Sequence, residues 1–222
     1  DSFQGRINGS GSVSTGPGDL ILGGDNTFTG DLVVLSGSTT TLAGSVDGNV
    51  DVNAGGELTL GSAERIADGA NLNVDGILNT NGEEAVNSLT ATGTINGEGT
   101  LSALTTDLTD ATVNANLGGG SLTSNGDTAL NGNTAAGTVT VAGGTLTVDG
   151  ALTNNAATVN VETGTLAANG TIAASNINVQ DGATLTTGEA ERLNDGVALN
   201  ADGTVSLGGN ETIGDLSGSG QV

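Results

Sequence analysis

Apolar residues recur along this chain at i and i+2, with a polar residue between. Examples are Val50-Asp51-Val52, Leu58-Thr59-Leu60, Leu72-Asn73-Val74, Val139-Thr140-Val141, Leu146-Thr147-Val148, Val159-Asn160-Val161, Ile177-Asn178-Val179 and Val205-Ser206-Leu207. Successive side chains of a strand point to opposite faces, so each triplet predicts a short strand with one buried face. No window holds a helical i, i+3, i+4, i+7 stripe of useful length. Between the triplets stand turn pairs: Asp68-Gly69, Asp75-Gly76, Asp149-Gly150, Asp181-Gly182, Asp195-Gly196, Asp202-Gly203, Asn8-Gly9, Asn96-Gly97 and Asn169-Gly170. Gly and Asn tolerate φ > 0, which predicts sharp corners at these pairs.

The corners do not predict hairpins, because the triplets keep a longer period. In the last third of the chain, first strands begin at Val139, Val159, Ile177 and Val197, and second strands at Leu146, Leu166, Leu185 and Val205. Third apolar anchors follow at Leu152, Ile172, Leu193 and Ile213. Three strands in ~20 residues predict one rung of a triangular coil, with equivalent strands stacked in parallel ~4.8 Å apart. Strands near Leu32, Val50, Leu72, Ile95 and Val113 extend the scheme, with insertions at 79–88 and 118–135. The expectation is an all-β solenoid of about ten triangular rungs of ~18–23 residues, continuous as one domain over residues 1–222.

Two further repeats overlie the rungs. Residues 61–76, GSAERIADGANLNVDG, and residues 188–203, GEAERLNDGVALNADG, are identical at ten of sixteen positions, 127 residues apart. A shorter motif appears as INGSGSV at 7–13, INGEGTL at 95–101 and LSGSGQV at 216–222.

The stretch from Phe3 to Leu35 resembles the passenger-associated repeat of bacterial autotransporters and related large exoproteins. The matching residues are Phe3, Gly5, Ile7, Gly9 and Gly11, then Gly18, Leu20, Leu22, Gly24, Asn26, Thr27, Phe28, Thr29 and Gly30. Residues 208–222, GGNETIGDLSGSGQV, resemble such a passenger too. The resemblance implies a right-handed single-stranded parallel β-helix, secreted or held at the bacterial cell surface, and it implies no catalytic residue. The chain departs from the family in one respect. Autotransporters end in a membrane barrel with aromatic girdles, and no aromatic residue follows Phe28. The first residue is Asp1 rather than Met, so a processed or excerpted chain is expected.

Composition narrows the chemistry. Cys, Met, Trp, Tyr, His and Lys are all absent, so the interior must be built from Val, Ile, Leu and Ala. Without His, Cys or Lys there is no usual base for a nucleophile and no ordinary zinc site. A net charge of −22 with three Arg residues argues against nucleic acid and anionic membrane surfaces as partners. No apolar run approaches the ~20 residues of a membrane-crossing helix.

Carboxylates remain. Asp47 with Asp51, and Asp107 with Asp110, are candidate pairs for polysaccharide cleavage, the least favoured reading. Oxygen donors at Asp47, Asn49, Asp51 and Asn53, and at Asp195, Asn200 and Asp202, are candidates for a weak Ca²⁺ site. Asp and Asn bonding their own turns explain the same residues. Glu64-Arg65 and Glu191-Arg192 read as corner devices, with Ile66 and Leu193 pointing inward. Thr145, Thr165, Thr184 and Thr204, beside Thr147, Thr186 and Ser206, predict an outward Thr column broken at Ala167. That column suits high strand propensity, and alternatively glycan or ice binding.

The function expected is therefore a non-catalytic extracellular structural or adhesive rod. It is either a passenger stalk or a self-stacking fibre or matrix subunit, with a host or matrix glycan or protein as a further partner. Head-to-tail self-association is expected through Ile7, Gly9, Gly11 and Val13 at one end and Leu216, Gly218, Gly220 and Val222 at the other.

Overall fold

A computed structural model describes residues 1–222. The chain forms 27 short strands and no helix. The strands pair in parallel, and stacked coils form a β-solenoid of about twelve turns, rather than about ten. Each turn contributes one strand to a twelve-stranded sheet, here sheet 1, and one to a thirteen-stranded sheet, here sheet 2. A third side is made of single-residue bridges. The chain divides into two compact units.

Unit 1 comprises Asp1–Thr105 and Val113–Asn116. Its sheet 1 strands are Ser2–Phe3, Gly18–Leu22, Ser38–Leu42, Glu57–Leu60, Ile77–Thr80 and Thr94–Gly97. Sheet 2 is built from Val13–Thr15, Leu32–Val34, Val50–Val52, Asn71–Val74 and Glu84–Ala91. Inward positions stack in register, as Leu32 on Val50 on Leu72 on Leu89, and Leu58 on Leu78 on Ile95. The third side runs Asn26, Val46, Ile66.

Unit 2 comprises Thr106–Thr112 and Leu117–Val222. Sheet 1 stacks Leu146, Leu166, Leu185 and Val205 as the spacing predicts. Sheet 2 stacks Val139, Val159, Ile177 and then Leu199, not Val197. Val197 is buried in the preceding corner, where its N–H donates to Asn194 O at 2.9 Å. The third side runs Leu117, Thr134, Leu152, Ile172, Leu193. Ile213 is only half-buried and joins no bridge.

The earlier turns differ from the expectation in how the strands are laid out. The step from Leu72 to Leu89, and from Leu78 to Ile95, is 17 residues. One long strand, Glu84–Ala91, runs from the third-side corner, where Glu83 O accepts from Glu64 N at 3.0 Å, into sheet 2. Ile95 and Val113 belong to sheet 1, whereas Leu32, Val50 and Leu72 belong to sheet 2. The stretches 79–88 and 118–135 are not insertions but contain the regular strands Glu84–Ala91, Ser121–Asn125 and Thr128–Leu130.

Stacking buries narrow aliphatic layers, with Leu32, Val50, Leu58, Leu78, Ile95, Leu146, Val161 and Ile177 all at 0% exposure. Each turn is too thin to hold a core alone, so stability comes from the next turn. Corner glycines serve the expected purpose only in part. Of the nine Asp-Gly and Asn-Gly pairs, only Gly9, Gly97 and Gly182 have positive φ. At Gly170 a Cβ would strike the Gly150 carbonyl oxygen of the turn before, so the residue is needed for close approach.

Candidate functional site

The most specific constellation lies where each third side ends. In a parallel bridge the inward residue donates its N–H to the next turn, as Val46 N does to Arg65 O at 2.8 Å and Ile172 N to Arg192 O at 2.7 Å. Ile66 and Leu193 are the last members of their columns and have no such carbonyl. A carboxylate one turn further on replaces it. Glu84 accepts from Arg65 N at 2.9 Å through Oε2 and from Ile66 N at 2.9 Å through Oε1. Glu211 accepts from Arg192 N at 2.9 Å and from Leu193 N at 3.0 Å. The residue before the clamp is left-handed in both copies, with φ 53° at Glu64 and 53° at Glu191.

Glu84 is 2% exposed. Its burial pushes the carboxyl above the usual Glu range, and Glu64 adds to the rise. The N–H groups of Arg65 and Ile66 and the Arg65 charge pull the other way. The Arg side chains differ between copies. Arg65 donates to Ala63 O at 3.0 Å and Ala43 O at 3.2 Å, rather than to an acidic neighbour. Arg192 pairs with Glu189, which stands where the first copy has Ser62. Ile66 and Leu193 are buried as expected.

Among the oxygen donors considered for Ca²⁺, no group of three or more Asp or Glu side chains has metal-holding geometry. Asp47 is exposed beside the bridge residue Val46. Asn49 is engaged in a rung-to-rung ladder: its Nδ2 donates to Asp31 at 3.1 Å, and its Oδ1 accepts from Asn71 N at 2.9 Å. Asp195 and Asp202 flank opposite ends of strand Ala198–Ala201, and Asp202 Oδ1 accepts from Ser219 N and Oγ, both at 3.1 Å. Asp51, on sheet 2, faces other acids than those expected. Burial first, then Asp31 and Asp75, raise its carboxyl above the usual Asp range.

The carboxylate pairs proposed for cleavage are also spoken for or solvated. Asp107 is exposed, and Asp110 Oδ1 accepts from Asp127 N at 2.8 Å. Asp127 in turn accepts from Thr145 N at 3.0 Å. Outward Thr145, Thr165, Thr184 and Thr204 do form one column of sheet 1, with Thr147, Ala167, Thr186 and Ser206 beside it. Outward Asn residues form ladders, such as Asn178 to Asn160 at 2.9 Å and Asn96 to Asn79 at 3.1 Å.

The short glycine motifs fall at different places in the coil. INGSGSV leads from the two-stranded pairing of Asn8–Gly9 into the sheet 2 strand Val13–Thr15. LSGSGQV leads from the sheet 2 strand Asp215–Ser217 to the bridge of Gln221 with Thr204 in sheet 1. The shared feature is local, a left-handed first glycine with φ 120° at Gly9, 132° at Gly97 and 110° at Gly218.

The carboxylate clamps went unread in the sequence, although a signal was there. In both copies a Glu follows the Glu-Arg pair one turn later, 19 residues after the Arg. No protein-family model, curated protein or solved structure matches the chain.

Proposed function

We propose that this chain is a non-catalytic extracellular scaffold, structural or adhesive, of the kind carried by exported bacterial passengers. The observation that supports it is how the polar side chains are used. Asp110, Asp127, Asp202, Asn49, Glu84 and Glu211 each hold a neighbouring turn through a backbone N–H. A carboxylate committed to the coil in this way is not free to serve as the acid or base of glycoside cleavage. Sequence composition points the same way, since no His, Cys or Lys supplies a base.

The outward Thr column of unit 2, with the mixed Thr, Ala and Ser column beside it, is the surface we assign to a glycan or matrix partner. Stacked strands hold their hydroxyls at a fixed repeat of ~4.8 Å. End-to-end stacking of copies draws no support from the glycine motifs, because INGSGSV and LSGSGQV occupy different sides of the coil. The test is to immobilise the chain and pass soluble polysaccharides and matrix proteins over it while assaying for new reducing ends. Retention without cleavage, weakened at least severalfold by Thr165→Lys with Thr184→Lys, is expected. Release of new reducing ends, abolished by Asp51→Asn, overturns the reading.

A further inference from the structure

We propose that the corner Asn81-Gly82 is a self-modification site, where the Gly82 amide nitrogen attacks the Asn81 side chain and converts it to aspartate and isoaspartate. This goes beyond the scaffold reading and does not rest on it. The reaction needs a following residue without a side chain, a backbone N–H that no acceptor holds, and a side-chain amide able to swing towards that nitrogen. Six Asn-Gly pairs meet the first need: Asn8-Gly9, Asn81-Gly82, Asn96-Gly97, Asn125-Gly126, Asn131-Gly132 and Asn169-Gly170. The fold separates them. Gly9 and Gly97 lie inside paired strands. Asn96 is also locked in its ladder, donating to Asn79 at 3.1 Å and accepting from Asn114 at 2.7 Å. Gly170 N donates to Val148 O at 2.7 Å, and Asn169 Nδ2 donates to Asp149 at 2.7 Å. Asn125 is half-buried at a strand end, and its Gly126 faces the Asp110 carboxylate, whose charge opposes an anionic nitrogen. Asn131 is engaged by a neighbour, and its carbonyl lies against Gly150 of the next turn. The Asn81 corner lacks these restraints. Asn81 is exposed, Gly82 lies between strands, and the Gly82 N–H donates to no acceptor. A single exposed bond, from Nδ2 to Gly61 O at 3.1 Å, holds the side chain.

The Gly82 nitrogen gives its proton to hydroxide and bonds to Asn81 Cγ. The Cγ–Nδ2 bond breaks, and Nδ2 takes a proton from water and leaves as ammonia, which regenerates the hydroxide. The five-membered imide that remains takes up one water. Opening at Cγ gives aspartate. Opening at the Asn81 backbone carbonyl gives isoaspartate, with the main chain running through Cβ and Cγ. One water is consumed and one ammonia released, and no oxidant, metal or enzyme is required. Either product puts a carboxylate where the Nδ2 donor stood, so Gly61 O loses its partner. The isoaspartyl form also lengthens the backbone by one carbon between the strands Ile77–Thr80 and Glu84–Ala91, whose pairings fix the two ends of the corner.

The test ages the intact chain in mildly alkaline buffer, with matched samples in mildly acidic buffer and in concentrated urea. Peptic peptides are read by mass spectrometry with electron-transfer fragmentation, which separates isoaspartate from aspartate. In the folded chain Asn81 should convert at least severalfold faster than the other five pairs, and more slowly in acid than in alkali. In urea the six pairs should convert at similar rates, because the restraints of the fold are gone. Asn81→Gln, whose longer side chain closes the ring poorly, should remove the fast site. An Asn81 that converts no faster than Asn169 in the folded chain overturns the site. A lead that persists unchanged in urea overturns the fold as its cause. Both outcomes are read on the unmodified chain, so they decide the matter even if the Gln variant does not fold.

Discussion

Ser124 and Thr128 put two hydroxyls into the aliphatic interior of unit 2, and neither Oγ of Ser124 nor Oγ1 of Thr128 has a hydrogen-bond partner. Unit 1 shows what a satisfied arrangement looks like. Ser38 donates to Thr15 at 2.8 Å, Thr40 donates to Thr15 at 3.1 Å, and Ser38 and Thr40 lie 3.0 Å apart, closing a triangle. A buried polar atom without a partner costs about 1–3 kcal/mol, while a paired one is near neutral or favourable. Opposite signs follow for the same chemical change. Thr128→Val should stabilise the chain by about 1 kcal/mol, because it removes an unpaired hydroxyl at nearly constant size. Thr40→Val should destabilise by about 1 kcal/mol, because it removes the hydroxyl that bonds both Ser38 and Thr15 and leaves them only each other. Urea midpoints of the two variants against the parent measure both. Equal signs would show that the hydroxyls play no part in the difference.

At the scale of strands and corners, glycine does two separable jobs. Gly170 is pressed against the Gly150 carbonyl, whereas an added Cβ at Gly69 meets nothing within 4 Å. Gly170→Ala should therefore cost about 1–3 kcal/mol by overpacking. Gly69→Ala, at a φ that is not left-handed, should gain up to about 1 kcal/mol by restricting the unfolded chain. Thermal melts of the pair would show shifts in opposite directions. The same contrast explains what the sequence made legible. Strands of the last third were readable because aliphatic pairs such as Val159 and Val161 occupy the inward positions. Glu84–Ala91 and Ser121–Leu130 were unreadable because Ala91, Ser124 and Thr128 occupy theirs. The slip at Val197 arose from two aliphatic residues spaced by two, Val197 and Leu199, either of which suits an inward site. The long repeat resolves it, since Leu72 anchors sheet 2 and its counterpart 127 residues later is Leu199. The clamps were hidden because Glu in a strand-rich chain reads as surface, and only the backbone shows that two N–H groups await it.

At the scale of the whole chain, the equivalence of the two clamps makes a prediction about how the coil tolerates being cut. Around Glu64 and Glu191 the backbone has the same φ of 53°, the same strand side precedes, and the same third-side bridge residue and sheet 2 strand follow. Residues 1–64 joined directly to residues 192–222 would thus keep every corner in phase. Strand Glu57–Leu60 would stack on Thr204–Ser206, Val50–Val52 on Ala198–Ala201, and Val46 on Leu193. Glu211 would then clamp Arg192 and Leu193 as it does in the parent. Solenoid stability is close to a sum of nearest-neighbour terms, so a shorter coil in phase should remain folded, though less stable. A join half a turn out of phase, residues 1–64 to residues 182–222, places strand Thr184–Thr187 where the third side should run and leaves its inward Leu185 without a layer. Circular dichroism should show strand content and a cooperative melt for the first deletion and neither for the second. If both deletions fold alike, the Glu-Arg corner with its carboxylate is not what sets the phase of the coil. If neither folds, the two corners are not interchangeable despite their shared geometry.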